Sequence, residues 1–267
     1  MPRHETRPRR RFGQHFLHDP AVIERIAAVI DPRRGDALVE IGPGRGALTR
    51  RLLESDCGSL DAIEIDRDLI ALLRDEWGGE RRLSLHNDDA LQFDFGALAR
   101  VRGQRLRVVG NLPYNISTPL LFHLLESAGQ IRDLHVMLQR EVIARMAARP
   151  GEPAYGRLTV MLAPWVEVER LFDVGPGAFQ PPPQVWSSVA RLSVRAAPAF
   201  APSPAFAGVV AAAFSHRRKT LRKALRGIAT AEQIESCGVD PAARPETVSP
   251  AGFNAIAGIV KLPSAAG

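Results

Sequence analysis

Apolar positions fall in short runs along the chain, and their period changes from run to run. In PAVIERIAAVI (20–30) apolar side chains return at 22, 23, 26, 29 and 30, the spacing of one helix face. Asp19 and Pro20 predict where that helix starts, because a carboxylate accepts the orphan first-turn amides and proline suits the first helical position. Beyond it the runs alternate in kind. ALVEIG (37–42), LDAIEID (60–66), LSLHND (83–88), RLRVVGN (105–111) and LHVMLQ (134–139) read as strands. ALTRRLLES (47–55), RDLIALLRDEW (67–77), TPLLFHLLES (118–127) and REVIARMAAR (140–149) read as helices. This alternation predicts an α/β fold with a parallel sheet covered on both faces. YGRLTVMLAPWVEVERLFDV (155–174) and SSVARLSVR (187–195) predict a closing antiparallel pair. AAPAFAPSP (196–204) reads as a linker, so the pattern predicts one domain over 1–196 and a small helical one over 197–267.

No apolar run approaches the roughly 18–20 residues that cross a bilayer, so no membrane role is expected. The start, MPRHETRPRRRF, is basic but leads into no apolar stretch of secretory type. Cys57 and Cys237 match no metal or redox spacing, the histidines show no ligand pattern, and a metal-free protein of the reducing cytoplasm is expected. The formal charge of +6 favours polyanion partners. Its weight is reduced by composition: all basic residues except Lys219, Lys223 and Lys261 are arginine, as GC-rich coding would supply anyway. Distribution says more. One cluster is the arm Arg3, Arg7, Arg9, Arg10 and Arg11. The other is HRRKTLRKALR (216–226), with Arg217, Arg218, Lys219, Arg222, Lys223 and Arg226 and no acid. In a helix 218, 222 and 226 would share a face, and without acidic partners four residues away that face suits phosphate.

VEIGPGRGAL places Gly42, Gly44 and Gly46 between the first strand of the alternation and its helix. Glycines there let the backbone approach a ligand closely. Glu64 ends the next strand about 20 residues on, where a carboxylate can accept both hydroxyls of a ribose. Asp89 follows the third strand, placed to receive an adenine amino group. Together these describe a nucleoside pocket that needs no pyrophosphate, and S-adenosylmethionine fits it. The G-x-G-x-G spacing disfavours a NAD-dependent oxidoreductase.

NLPYNISTPL begins at Asn111, at the end of RVVGN. An exocyclic adenine amine is a poor nucleophile, because its lone pair is delocalised into the ring. The Asn111 side-chain oxygen and the Leu112 carbonyl can hold its hydrogens and direct the lone pair at a methyl group. Pro113 stiffens the turn. Tyr114 offers a flat face for an extruded base, a stack worth roughly 1–3 kcal/mol. Alignment of donor and acceptor then supplies much of the rate.

These motifs resemble the ribosomal RNA adenine N6,N6-dimethyltransferases, in particular their bacterial small-subunit branch. FGQHFL (12–17), EIGPGRGALT (40–49), AIEID (62–66), DAL (89–91), NLPYNIST (111–118), AYGRLTVM (154–161), FQPPPQVWSSVARL (179–192) and FSHRRKTLRKAL (214–225) carry the resemblance nearly end to end. It implies a Rossmann-like methyltransferase domain. His15, Leu17, Gly42, Gly44, Glu64, Asp89 and Asn111 would line the S-adenosylmethionine site, and Phe179 would face the target base opposite Tyr114. Arg217, Arg218, Lys219, Arg222 and Lys223 would face rRNA. The implied reaction is dimethylation of two adjacent adenosines in the 3′-terminal hairpin of 16S rRNA, within the immature small subunit, by a monomer. Four positions depart from the pattern: His15, Asp88, Trp186 and His216 stand where asparagine, glycine, a small acid and glutamine are common. Two other readings are a resistance methyltransferase acting on large-subunit rRNA, which AYGRLTVM and the C-terminal segment argue against, and an assembly checkpoint that works by binding.

Overall fold

The computed structural model describes residues 15–216 and 218–260. The basic arm at Arg3, Arg7, Arg9, Arg10 and Arg11, and Arg217, lie outside the described residues. The chain divides into two compact units, Met1–Ile143 with Val168–Val194, and Ala144–Glu167 with Arg195–Gly267.

In the first unit β1 (Phe16–Leu17) and α1 (Pro20–Ile30) precede an alternation of β2 (Ala37–Ile41), α2 (Ala47–Leu53), β3 (Ser59–Ile63), α3 (Arg67–Trp77), β4 (Leu83–His86), α4 (Phe95–Arg102), β5 (Leu106–Asn111), α5 (Ser117–Glu126) and β6 (Ile131–Gln139). Asp19 caps α1 as expected, accepting from the Ala21 and Val22 amides. After α6 (Arg140–Ala147) and α7 (Arg157–Leu162), the chain adds β7 (Val166–Val174), β8 (Phe179–Gln180) and β9 (Ser187–Val194). The sheet order is β4-β3-β2-β5-β6-β9-β7. Pairs among β2 to β6 are parallel, and β9 runs antiparallel to β6. Every residue of β2 is buried, as a strand covered on both faces requires. The order reverses beside β2: β3 and β4 lie on one side, β5 and β6 on the other. Such a switch opens a crevice at the carboxyl ends of the strands.

A buried ion cluster ties β5 and β6 to the turn before β2. The Arg107 guanidinium donates to Asp36 at 2.8 Å, to Asp133 at 3.1 Å and to the Ile30 carbonyl at 2.6 Å. Burial alone would raise Asp133, but His135 and Arg107 beside it hold it down at about 2.

Two expectations need correction. The run 155–174 is not one strand: α7 occupies its first part, and only β7 extends. The domain division differs too, because Ala144–Glu167 joins the second unit. There Tyr155 and Val160 share a core with Phe206, Val209, Leu221, Phe253 and Ile256, and the Tyr155 hydroxyl donates to the Val248 carbonyl at 2.7 Å.

The second unit is helical beyond α7, with α8 (Phe206–Ser215), α9 (Leu221–Ala224), α10 (Ala231–Ser236) and α11 (Pro250–Ile259). The basic run is not a continuous helix. Thr220 stands at the start of α9 in extended backbone, and Gly227 follows it at φ +83°, so 218, 222 and 226 do not share a helix face. Burial sorts the run instead: Leu221, Ala224 and Leu225 point into the core, while Arg218, Lys219, Arg222, Lys223 and Arg226 are exposed. Among the described residues no helix is long and apolar enough to cross a membrane.

Candidate active site

The crevice at the switch is built from backbone first. Gly44 lies at φ +57°, and a methyl group there would sit 3.0 Å from the Phe16 ring. At Gly46, φ +77°, it would sit 2.4 Å from Trp77. Only glycine admits both the turn and these close approaches. The loop closes on β3 through Glu64, whose Oε2 accepts the Gly44 amide at 3.2 Å and whose Oε1 accepts the Asp66 amide at 2.9 Å. Burial raises the pKa of Glu64 against the pull of those amides. Each carboxylate oxygen retains a lone pair for a further donor.

Asn111 ends β5 across the crevice. Its Nδ2 donates to the His15 carbonyl at 3.0 Å, which leaves Oδ1 available as an acceptor. The following Leu112 amide donates to the Met137 carbonyl at 3.2 Å, fixing the turn to β6. The Tyr114 hydroxyl pairs with Ser187 Oγ at 2.7 Å, and its ring lies 5.9 Å from that of His15. Burial raises the Tyr114 phenol, so its face stays uncharged. His15 Nδ1 lies 2.8 Å from the Pro181 carbonyl. A carbonyl only accepts, so Nδ1 carries hydrogen and a neutral His15 presents Nε2 as an acceptor.

A cavity of about 990 Å³ collects these groups. His15, Gly42, Gly44, Glu64, Asp89, Asn111, Leu112, Pro113 and Tyr114 all line it. Asp88 lines it too, but its Oδ1 accepts the Asp89 amide at 2.8 Å. Asp89 in turn accepts the Leu91 amide at 3.0 Å, which fixes its side chain. An adjoining cavity of about 550 Å³ shares His15, Phe16, Gly42, Gly44 and Asn111, and adds Leu17, Glu40 and His135. Burial raises Glu40 to about 7, against a hydrogen bond from Thr49.

Phe179 is not brought against Tyr114. It is 2% exposed, packs in the core with Leu17 and Val189 and lines neither cavity. The cause is the β1–β8 ladder, which sets Phe179 opposite Leu17. Sequence reasoning missed Phe16, Ile65 and Ser187. Phe16 and Ile65 line the larger cavity. The signal for Ile65 is an apolar residue directly after a strand-end acid, and it is 46% exposed. Ser187 carried no local signal, being 73 positions from Tyr114.

The residues present fit a nucleoside methyl donor. Gly44 leaves room for a close backbone approach, Glu64 offers two acceptors to a diol, and Asp89 sits at the same rim. With the sheet order, they define a Rossmann-like methyltransferase.

The ribosomal RNA adenine dimethylase family matches over residues 5–261. A Nitrosococcus oceani protein named ribosomal RNA small subunit methyltransferase A is 55% identical, covering 91% of this chain and 92% of that one. The Pseudomonas aeruginosa protein of that name is 52% identical over 97% of each chain. Among solved structures, the 23S rRNA methyltransferase ErmE has a TM-score of 0.72 at 27% identity, covering 91% of this chain and 98% of that one. The chain therefore belongs to the ribosomal RNA adenine dimethylase family and is an enzyme of that kind, an rRNA adenine dimethyltransferase.

Proposed function

We propose that the protein dimethylates N6 of two adjacent adenosines in the 3′-terminal hairpin of 16S rRNA. It does so as a cytoplasmic monomer, on the immature small subunit, late in assembly. The observation that carries this reading is Asn111: its Nδ2 is held by the His15 carbonyl, which leaves Oδ1 available as an acceptor on a residue that lines one cavity with Glu64 and Asp89. The small-subunit assignment is supported by relatives above 50% identity that carry that name.

S-adenosylmethionine, when bound, supplies an electrophilic methyl group and leaves as a neutral thioether. Glu64 would accept its ribose hydroxyls, Asp89 its adenine amine, and the glycine loop would lie along its backbone-facing side. The protein's own task is alignment. Asn111 Oδ1 and the Leu112 carbonyl accept the hydrogens of the target amine, which turns its lone pair out of the ring and toward the donor. Tyr114, held by Ser187, supports the face of the extruded base. The proton lost from N6 passes to solvent, and no side-chain nucleophile is required. After the first transfer one N6 hydrogen remains, so one acceptor suffices for the second.

The test is incubation with labelled S-adenosylmethionine and small subunits lacking the modification, followed by mapping of the labelled nucleotides. Label on two neighbouring adenosines of the terminal hairpin supports the reading. Label confined to large-subunit rRNA overturns it.

A further inference from the structure

Trp186 plays no part in the alignment just described, yet it is 49% exposed, and Val185 beside it is 44% exposed. Together they leave an apolar patch open to water next to Ser187. Its backbone is pinned, because the Arg140 amide donates to the Trp186 carbonyl at 2.9 Å. The Arg140 guanidinium lies 5.8 Å from the ring. Gly175 lies alongside: a methyl group there would sit 3.6 Å from the indole. The next residue, Ser187, is the one that holds the Tyr114 hydroxyl. Along the sheet edge, Asn111 ends β5, Arg140 follows β6, Trp186 precedes β9 and Gly175 follows β7. Asn111 is level with Met137 and Val189, so Trp186 lies two strands across and three residues further along, about 14 Å away at the usual strand dimensions.

We propose that Trp186, with Arg140, forms a second base subsite that stacks the adenine next to the one extruded against Tyr114. This deepens the function proposed above and rests on it. The chemistry suits a nucleotide on two counts. The indole offers a π face to any base, and the arginine offers a charge to the phosphate between the two nucleosides. In a substrate whose two targets are neighbours, a stacked neighbour stays single-stranded and ready for the next extrusion.

The experiment has two arms. In the first, unmodified small subunits are methylated by the parent enzyme and by Trp186→Ala and Trp186→Phe. Trp186→Ala is expected to raise KM for subunits by about 5- to 150-fold, the range of one lost base–aromatic stack. Its affinity for S-adenosylmethionine should be retained, and Trp186→Phe should recover most of the loss. In the second arm, a hairpin RNA carries 2-aminopurine at the position next to the target adenosine. Its emission is expected to be quenched by the parent and by Trp186→Phe but not by Trp186→Ala, at protein concentrations where all three bind. Equal quenching by parent and Trp186→Ala overturns the subsite, whatever the methylation result. Failure of the parent to methylate small subunits strikes the proposed function instead, and the fluorescence arm still decides the stack.

Discussion

At the scale of single residues the site depends on one amide held the right way round. Replacing Asn111 with alanine removes the acceptor without disturbing the Glu64 side of the cavity. The expected outcome is kcat at saturating S-adenosylmethionine lowered about 10²- to 10³-fold, the usual loss of one preorganised polar contact. Calorimetry for the cofactor and single-turnover transfer for the chemistry would show this, and transfer near the parent rate would remove Asn111 from the mechanism. Glu40 makes a second prediction, about pH. Its carboxyl rises from an ordinary value near 4.5 to about 7, because burial disfavours the charge. A carboxyl raised by folding costs stability as pH climbs from the unfolded to the folded value. The penalty, on the order of 3 kcal/mol, is complete above it. Glu40→Gln carries no such charge, so its stability relative to the parent should grow between pH 5 and pH 8. Parallel urea curves at the two pH values would contradict the burial argument.

At the scale of elements, Arg107 has the largest structural task. Its guanidinium is 6% exposed and faces Asp36 and Asp133, which are 8% and 14% exposed. Arg107→Met removes the buried counter-charge of two carboxylates and leaves them only the half-exposed Arg132, which should cost on the order of 3–5 kcal/mol at pH 7. Asp133 is depressed in the folded state, so its share of stability is present above its unfolded value near 3.8 and is lost as pH falls toward about 2. The gap between parent and variant should therefore narrow at pH 3. A gap under about 1 kcal/mol at pH 7 would show that the cluster is not what joins these strands. The elements also show what a sequence reveals. The helix at Pro20–Ile30 and the strands from Ala37 to Gln139 were legible because their signals are local: a cap, a proline, a period. Most of the cavity was legible for a related reason, since Gly44, Glu64, Asp89 and Asn111 all sit at strand ends where the chain turns. The two-residue ladder of Phe16–Leu17 with Phe179–Gln180 was not legible, because neither partner has enough length for a period. That ladder decides that Phe179 faces the core. The one-turn helix at Arg157–Leu162 was hidden inside an apolar run that reads equally well as strand. The bond between Tyr114 and Ser187 lies wholly in tertiary structure.

At the scale of the whole molecule the question is how a chain of net charge +6 engages a polyanion. Total charge is a weak guide here, because many of its arginines pair with acids. Arg51 pairs with Glu24 at 2.5 Å, Arg102 with Asp61 at 2.6 Å and Arg195 with Glu167 at 2.9 Å. The segment around Leu221–Ala224 differs. Among the described residues Arg218, Lys219, Arg222 and Lys223 have no carboxylate partner, and all are exposed. Leu221, Ala224 and Leu225 anchor the segment from below, so the charges are carried on a packed base rather than a free tail. Replacing Arg218, Arg222 and Lys223 with glutamine leaves that base intact and should leave the melting temperature near the parent value. Each phosphate contact releases counterions and adds about 0.7–0.9 to the slope of log affinity against log salt. If the three side chains meet phosphate, the triple variant should flatten that slope by about 2–3 and weaken binding most at low salt. Filter binding to small subunits between low and moderate salt measures both quantities. An unchanged slope in a normally folded variant would place the rRNA contact elsewhere on the molecule, since ion release does not depend on which bases are read.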